Sequence, residues 1–187
     1  GHAMTTLVPN RLRRRWTDAA IAQKRFSCST FMLYLGVEGR CDQLEHHNIY
    51  ITRDYRRNLE DIEQRHVLTD DPSFYVENPS GIDDTMAPPG HSALYVLLPV
   101  SHQHPNLDWT RERDRYRQVA LRQLAKLGLS DIEKRIRFER ILTPADWEQN
   151  VGVYRGATFN LAHNLGQMLH LRPRNRFEEF ERMYLVG

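Results

Sequence analysis

Nine histidines are the residues of this 187-residue chain best suited to metal or proton chemistry. They include His46-His47, His102-x-His104, His163 and His170. Neighbouring residues of a strand point to opposite faces, so His46 and His47 are not expected to share an ion. His102 and His104 sit beside Pro105 and read as loop, and no helical His-x-x-x-His with a glutamate occurs. No metal site is therefore expected, and each imidazole reads as a surface or hydrogen-bonded residue. The two cysteines, Cys28 and Cys41, make no C-x-x-C and read as free thiols of a reducing cytoplasm. No serine occupies a G-x-S-x-G elbow, and Cys28 has no base near it in sequence. Asp83-Asp84 and Glu178-Glu179 are adjacent carboxylates that read as solvated. The glycines nowhere form G-x-G-x-x-G or a P-loop, and Gly152 and Gly156 lack the strand–turn–helix context of a dinucleotide site. By spacing alone, the chain carries no self-sufficient catalytic centre.

The elements that would position such residues are alternately strand-like and helix-like. Residues 26–37 are dense in β-branched and aromatic side chains and predict a strand buried on both faces. Shorter strands are predicted at 47–51 and 73–76, a strong one at 93–100 and a further one over 136–142. Tyr55, Leu59 and Ile62 follow helical spacing, which predicts an amphipathic helix over 54–66. Prolines and glycines over 78–91 predict a loop. Asp108 is a suitable N-cap for a helix over about 110–127, with Gly128 its stop. Thr143, Pro144 and Asp146 have the order of a capped helix start. The sum is an α+β fold, with a mixed, largely antiparallel sheet of four to six strands, two long helices and a shorter one.

Composition narrows the function classes. The chain is 27% charged and 40% hydrophobic with a formal charge of +2, values of a folded globular chain rather than a disordered one. No apolar run approaches the roughly 18–20 residues of a membrane-spanning helix. Arg11, Arg13, Arg14 and Arg15 beside Trp16 read either as a contact for anionic lipid headgroups or as a solvated helix start or linker. Nucleic acid is not an expected partner, and the oligomeric state is left open. Gly1–Met4 read as a cloning scar, leaving 5–187 as one domain. Met183–Gly187 reads as a buried strand arriving at a turn, the pattern of a fragment.

Several blocks carry a resemblance: Phe26–Gly36, His46–Tyr50, Asp54–Arg56, Asp71–Tyr75, Met86–Gly90, Ala93–Val100 and Asn106–Trp109. Leu142–Trp147, Tyr154–Phe159, Arg172–Arg176 and Tyr184–Gly187 extend it. In this order they resemble the bacterial-type phytoene desaturases, FAD-containing carotenoid dehydrogenases of amine-oxidase-like architecture. The resemblance covers nearly everything after residue 25 and implies the substrate-binding, non-FAD portion of a longer flavoenzyme. The family's N-terminal glycine-rich FAD fingerprint and its flavin-closing segment are absent. FAD is accordingly implied for the full-length enzyme, with none expected on this fragment, which is expected to be inactive alone.

The implied partner is a linear carotenoid precursor in a tunnel of apolar side chains. A cytoplasmic enzyme attached peripherally to a membrane surface is implied with it. Phe31, Leu33 and Leu35 alternate with Met32 and Tyr34, so one sheet face can meet core and the other substrate. The residues implied for substrate contact are Phe31, Leu33, Leu35, Tyr154 and Phe159, while Arg155, Gly156, Ala157 and Arg172 are implied to approach the cofactor. Catalytic residues are not assigned. A C30 diapophytoene-type desaturase or a carotenoid oxygenase would share the pattern, and a free-standing lipid-binding module is an alternative of another class.

Overall fold

The computed structural model describes residues 1–177 and 179–184. In chain order its elements are α1 (His2–Leu7), α2 (Asp18–Ala22), β1 (Ser29–Glu38), β2 (His47–Tyr50), α3 (Tyr55–Glu60) and β3 (Phe74–Glu77). They continue with β4 (His91–Val100), α4 (Trp109–Ala125), α5 (Ile132–Arg135), β5 (Ile136–Leu142) and α6 (Pro144–Val151). One five-stranded sheet runs in the order β2-β3-β4-β1-β5, with each neighbouring pair antiparallel. The α+β class is as expected, and the sheet is antiparallel throughout rather than mixed. Among the described residues a single long helix is present, α4 with 17 residues, where two were anticipated.

The two ten-residue strands β1 and β4 pair over their whole length, from Ser29 opposite Val100 to Glu38 opposite His91. Phe31, Leu33, Leu35 and Val37 on β1, and Leu94, Val96, Leu98 and Val100 on β4, are essentially inaccessible. They share one face because side chains alternate along a strand. Helix α4 covers that face with Trp109, Tyr116, Ala120, Gln123 and Leu124, spaced three, four and seven apart. The Phe31 ring stacks on Trp109 at 5.7 Å between centroids and meets Tyr116 edge-on at 5.2 Å. Each such side chain contributes roughly 1.5–3 kcal/mol by leaving water. The Asp108 carboxylate accepts from the Thr110 N–H at the start of α4, and Gly128, at φ +84°, follows its end.

Helix α3 turns differently from its sequence pattern. Asn58, Asp61 and Ile62 are its buried residues, whereas Tyr55 and Leu59 are exposed. A π turn over 61–65 shifts the helical phase, and the Asn58 Oδ1 accepts the Ser73 N–H from inside. Helix α6 follows its sequence signals: Thr143 and Asp146 close a reciprocal capping box, and Pro144 occupies the first turn. A second, smaller cluster joins Met4, Trp16, Ile21 and Phe177, so residues set aside as a cloning scar pack into it. Arg13 is buried there as well, paired with Asp18 at 2.6 Å and donating to the Trp16 carbonyl. Of the strand expected at 183–187, Tyr184 makes one bridge to Arg176 and is exposed, and 185–187 lie outside the described residues.

Candidate functional site

The face of the sheet opposite α4 is built from the intervening residues. Tyr34 on β1, with Ala93, Tyr95, Leu97 and Pro99 on β4, is only half-buried although both strands are central. Register extends this surface sideways: Ile49, Tyr75, Leu97, Met32 and Leu142 lie in one row across all five strands. An aromatic band crosses four of them, with His47–Tyr75 at 5.9 Å, Tyr75–Tyr95 at 6.1 Å and Tyr95–Tyr34 at 5.3 Å between ring centroids. Burial pushes the Tyr95 phenol up, helped by the neighbouring Tyr34, and burial and Glu77 push Tyr75 up as well. Gly36 stands opposite Phe138, and a Cβ on it would sit 3.1 Å from the Phe138 Cβ. The glycine thereby leaves room for a phenyl ring that is itself exposed. Nine residue steps along β1 make this surface about 30 Å long.

At the β1 start and β4 end lies a cavity of about 810 Å³. Cys28 and Ser101 line it, two positions beyond Thr30 and Pro99 on the same alternation. Three histidines stack on its wall: His66 lies 4.0 Å from His104 and 5.5 Å from His102 between ring centroids. His66 ends the π turn at φ +51°, a left-handed conformation histidine adopts more readily than most side chains, and its Nδ1 is 2.6 Å from Ser101 Oγ. Burial, and then the His104 and His102 imidazoles, pushes His66 down, and burial chiefly does the same to His102. The Cys28 thiol is pushed up by burial and by Glu63. Neutral imidazoles can accept a proton, whereas a thiol held protonated is a poor nucleophile.

Of the sequence-predicted residues, Arg155 and Phe159 line this cavity. Arg155 takes φ +53° and places its guanidinium 5.7 Å from the Phe26 ring centroid, and its N–H donates to Glu148 Oε1. Tyr154 packs on Phe26 at 4.9 Å, beside the second cluster. Gly156 and Ala157 are buried, and the close approach that needs glycine is to the chain itself. A Cβ at Gly156 would lie 2.1 Å from the Pro144 carbonyl oxygen, which leaves no room there for a flat ring. Arg172 donates to the Leu161 carbonyl at 2.9 Å and reaches His163 at 3.0 Å, tying down a loop. It lines a separate, smaller pocket with Trp16.

Phe31, Leu33 and Leu35, implied for substrate contact, lie buried beneath α4 against its core residues, whereas Tyr34 belongs to the opposite, half-buried face. The histidine stack was missed, since nothing in sequence joins His66 to the His102-x-His104 pair. His46 and His47 also fail to point apart, because His46 precedes β2 and strand alternation does not govern it. With Glu77 the two form a group whose ligand atoms all lie within 4.8 Å of one another. Among the described residues no strand, glycine-rich turn and helix follow one another, so they make no dinucleotide cradle of their own.

No family model matches the chain. Curated relatives do. A 4,4'-diapophytoene desaturase (4,4'-diapolycopene-forming) of Methylomonas sp is 49% identical over 187 residues, all of this chain and 36% of that protein. An all-trans-zeta-carotene desaturase of Myxococcus xanthus is 40% identical over 189 residues, again all of this chain and 36% of the relative. A zeta-carotene-forming phytoene desaturase of the same organism is 41% identical over 164 residues, 87% of this chain and 32% of the relative. The first two alignments cover the whole chain and so contain both the β1–β4 ladder and the residues of the cavity. The chain is therefore a relative of the carotenoid and phytoene desaturases, spanning about a third of their length.

Proposed function

We propose that this chain is the substrate-facing part of an FAD-dependent carotenoid desaturase, with the α4-free sheet face as a wall for a linear polyene. The observation that carries the reading is the half-buried aromatic and aliphatic surface, about 30 Å long, beside a cavity in which burial pushes His66 and His102 toward the neutral form. An uncharged hydrocarbon loses nothing by leaving water for such a surface, and Leu97 and the tyrosine band fix its path by shape alone. The flavin, when bound, supplies hydride acceptance, and its seat is assigned to the relatives' length that this chain does not span. The residues present hold the substrate, exclude water and, at His66 or His102, offer a nitrogen able to take a proton.

The relative at 49% identity is named for diapophytoene, which favours a C30 substrate over a C40 one. Peripheral membrane attachment belongs to the same reading. No helix among the described residues is long and apolar enough to cross a membrane, while Ile49, Ile51, Tyr55 and Leu59 are exposed within eleven residues of sequence. The burial of Arg13 and Trp16 counts against the basic stretch as the lipid contact.

The test is polyene binding to the chain, read as quenching of its intrinsic fluorescence by a linear C30 or C40 polyene delivered in liposomes. Leu97→Lys is expected to weaken binding at least about tenfold, since a buried leucine is worth roughly 1.5–3 kcal/mol. Lys in place of exposed Ile82, away from this face, leaves it unchanged. Equal binding by the native chain and Leu97→Lys would remove the open face as the substrate wall.

A further inference from the structure

We propose that His46, His47 and Glu77 form a binding site for a divalent transition metal of the zinc type at the β2 edge of the sheet. His47 opens β2 and stands in register with Glu77, the last residue of β3, while His46 immediately precedes the strand. One ligand atom from each of the three lies within 4.8 Å of the other two. Two of them are already at coordination spacing: His46 Nε2 is 3.4 Å from Glu77 Oε1. Ligands bound to zinc at ordinary lengths and tetrahedral angles are about 3.3 Å apart. The two imidazole centroids are 3.8 Å apart, so both rings lie on one side of the strand end.

A supporting shell is also in place. His47 Nδ1 is 2.6 Å from the Tyr75 hydroxyl, which in turn reaches Glu77 Oε2 at 3.5 Å. A metal-bound histidine characteristically hands its second N–H to a neighbouring acceptor, which fixes the ring and frees the other nitrogen for the metal. Tyr75 is placed to do this for His47, leaving Nε2 for the ion. Two imidazoles and one carboxylate suit zinc, cobalt or nickel rather than calcium or magnesium, which prefer all-oxygen shells. His46 and Glu77 are half-buried and His47 is exposed, so water completes the coordination. Bound metal joins a four-residue edge strand to its neighbour, and the site depends on no assumption about the desaturase reaction.

Titration of the 187-residue chain with zinc against a chromogenic chelator tests the site, with cobalt absorption reporting the coordination number. One equivalent is expected with a dissociation constant of about 10 µM or tighter, and a zinc-dependent rise in melting temperature. Glu77→Gln and His47→Ala are each expected to weaken binding at least about tenfold while leaving the far-ultraviolet circular dichroism unchanged. His104→Ala, in the other histidine group, and His2→Ala keep full binding. Absence of zinc retention at that concentration overturns the site, as does retention by Glu77→Gln and His47→Ala with loss in either control.

Discussion

Gly156 is constrained twice over, by φ +62° and by the Pro144 carbonyl oxygen only 2.1 Å from where a Cβ would stand. Gly90 has φ +75° but nothing within 4 Å of its Cβ position. Alanine at Gly90 meets only the backbone penalty of about 1–2 kcal/mol. Gly156→Ala must in addition move α6 or its own turn, and is expected to cost about 3 kcal/mol or more. Denaturant unfolding of the two variants measures the difference, and equal losses would show that the contact with Pro144 yields freely. The glycine was conspicuous in sequence, yet its neighbour in space was not. A flat cofactor and a carbonyl group make the same demand on a missing side chain.

Between elements, Asp71 shows how polar residues set the distance between α4 and the sheet. Its carboxylate accepts from Gln123 Nε2 and Thr52 Oγ1, both at 2.9 Å, and from Lys126. The Gln123 and Lys126 hydrogen bonds hold it at about 2, below the ordinary 3.8. A depressed carboxyl contributes stability that is complete above the unfolded value and lost as pH falls through the folded one, here between about 4 and about 2. Asp71→Asn is expected to lose about 1 kcal/mol at neutral pH, the exposed half of the carboxylate being screened by water, and to flatten the acid limb in that window. Thermal melts from pH 5 down to pH 2 check it, and a limb unchanged in Asp71→Asn would assign the acid sensitivity to other carboxylates. The α3 segment gives the opposite lesson about elements. Its apolar residues were spaced for one helix face, yet of Tyr55, Leu59 and Ile62 only Ile62 is buried, and the polar Asn58 and Asp61 lie inside with it.

For the molecule as a whole, the histidine stack predicts a pH response in a higher range. His66 and His102 are both pushed below the ordinary 6.5, so their contribution to stability is complete above that value and is lost as pH falls through the lowered ones. The melting temperature is expected to fall between pH 7.5 and pH 5, before the carboxylates titrate. His102→Gln, which cannot charge, is expected to make that fall shallower. An identical slope in the variant would mean that the cavity admits the imidazolium without strain.

Alternation, capping residues and turn formers are local, so the sequence alone determined the strands around Phe31 and Leu98, the capped start of α6 and the end of α4 at Gly128. Order along the chain likewise carried the desaturase relationship. Which face of β1 meets the core depends on where α4 folds back, a contact made across some eighty residues, and local periodicity is the same for either choice. Tertiary structure alone decided that Phe31, Leu33 and Leu35 lie beneath Trp109 and Tyr116, that Tyr34 and Leu97 remain accessible, and that His66 meets His102 and His104. Such pairings come from packing apolar area between distant segments, and spacing within one segment holds no record of its partner.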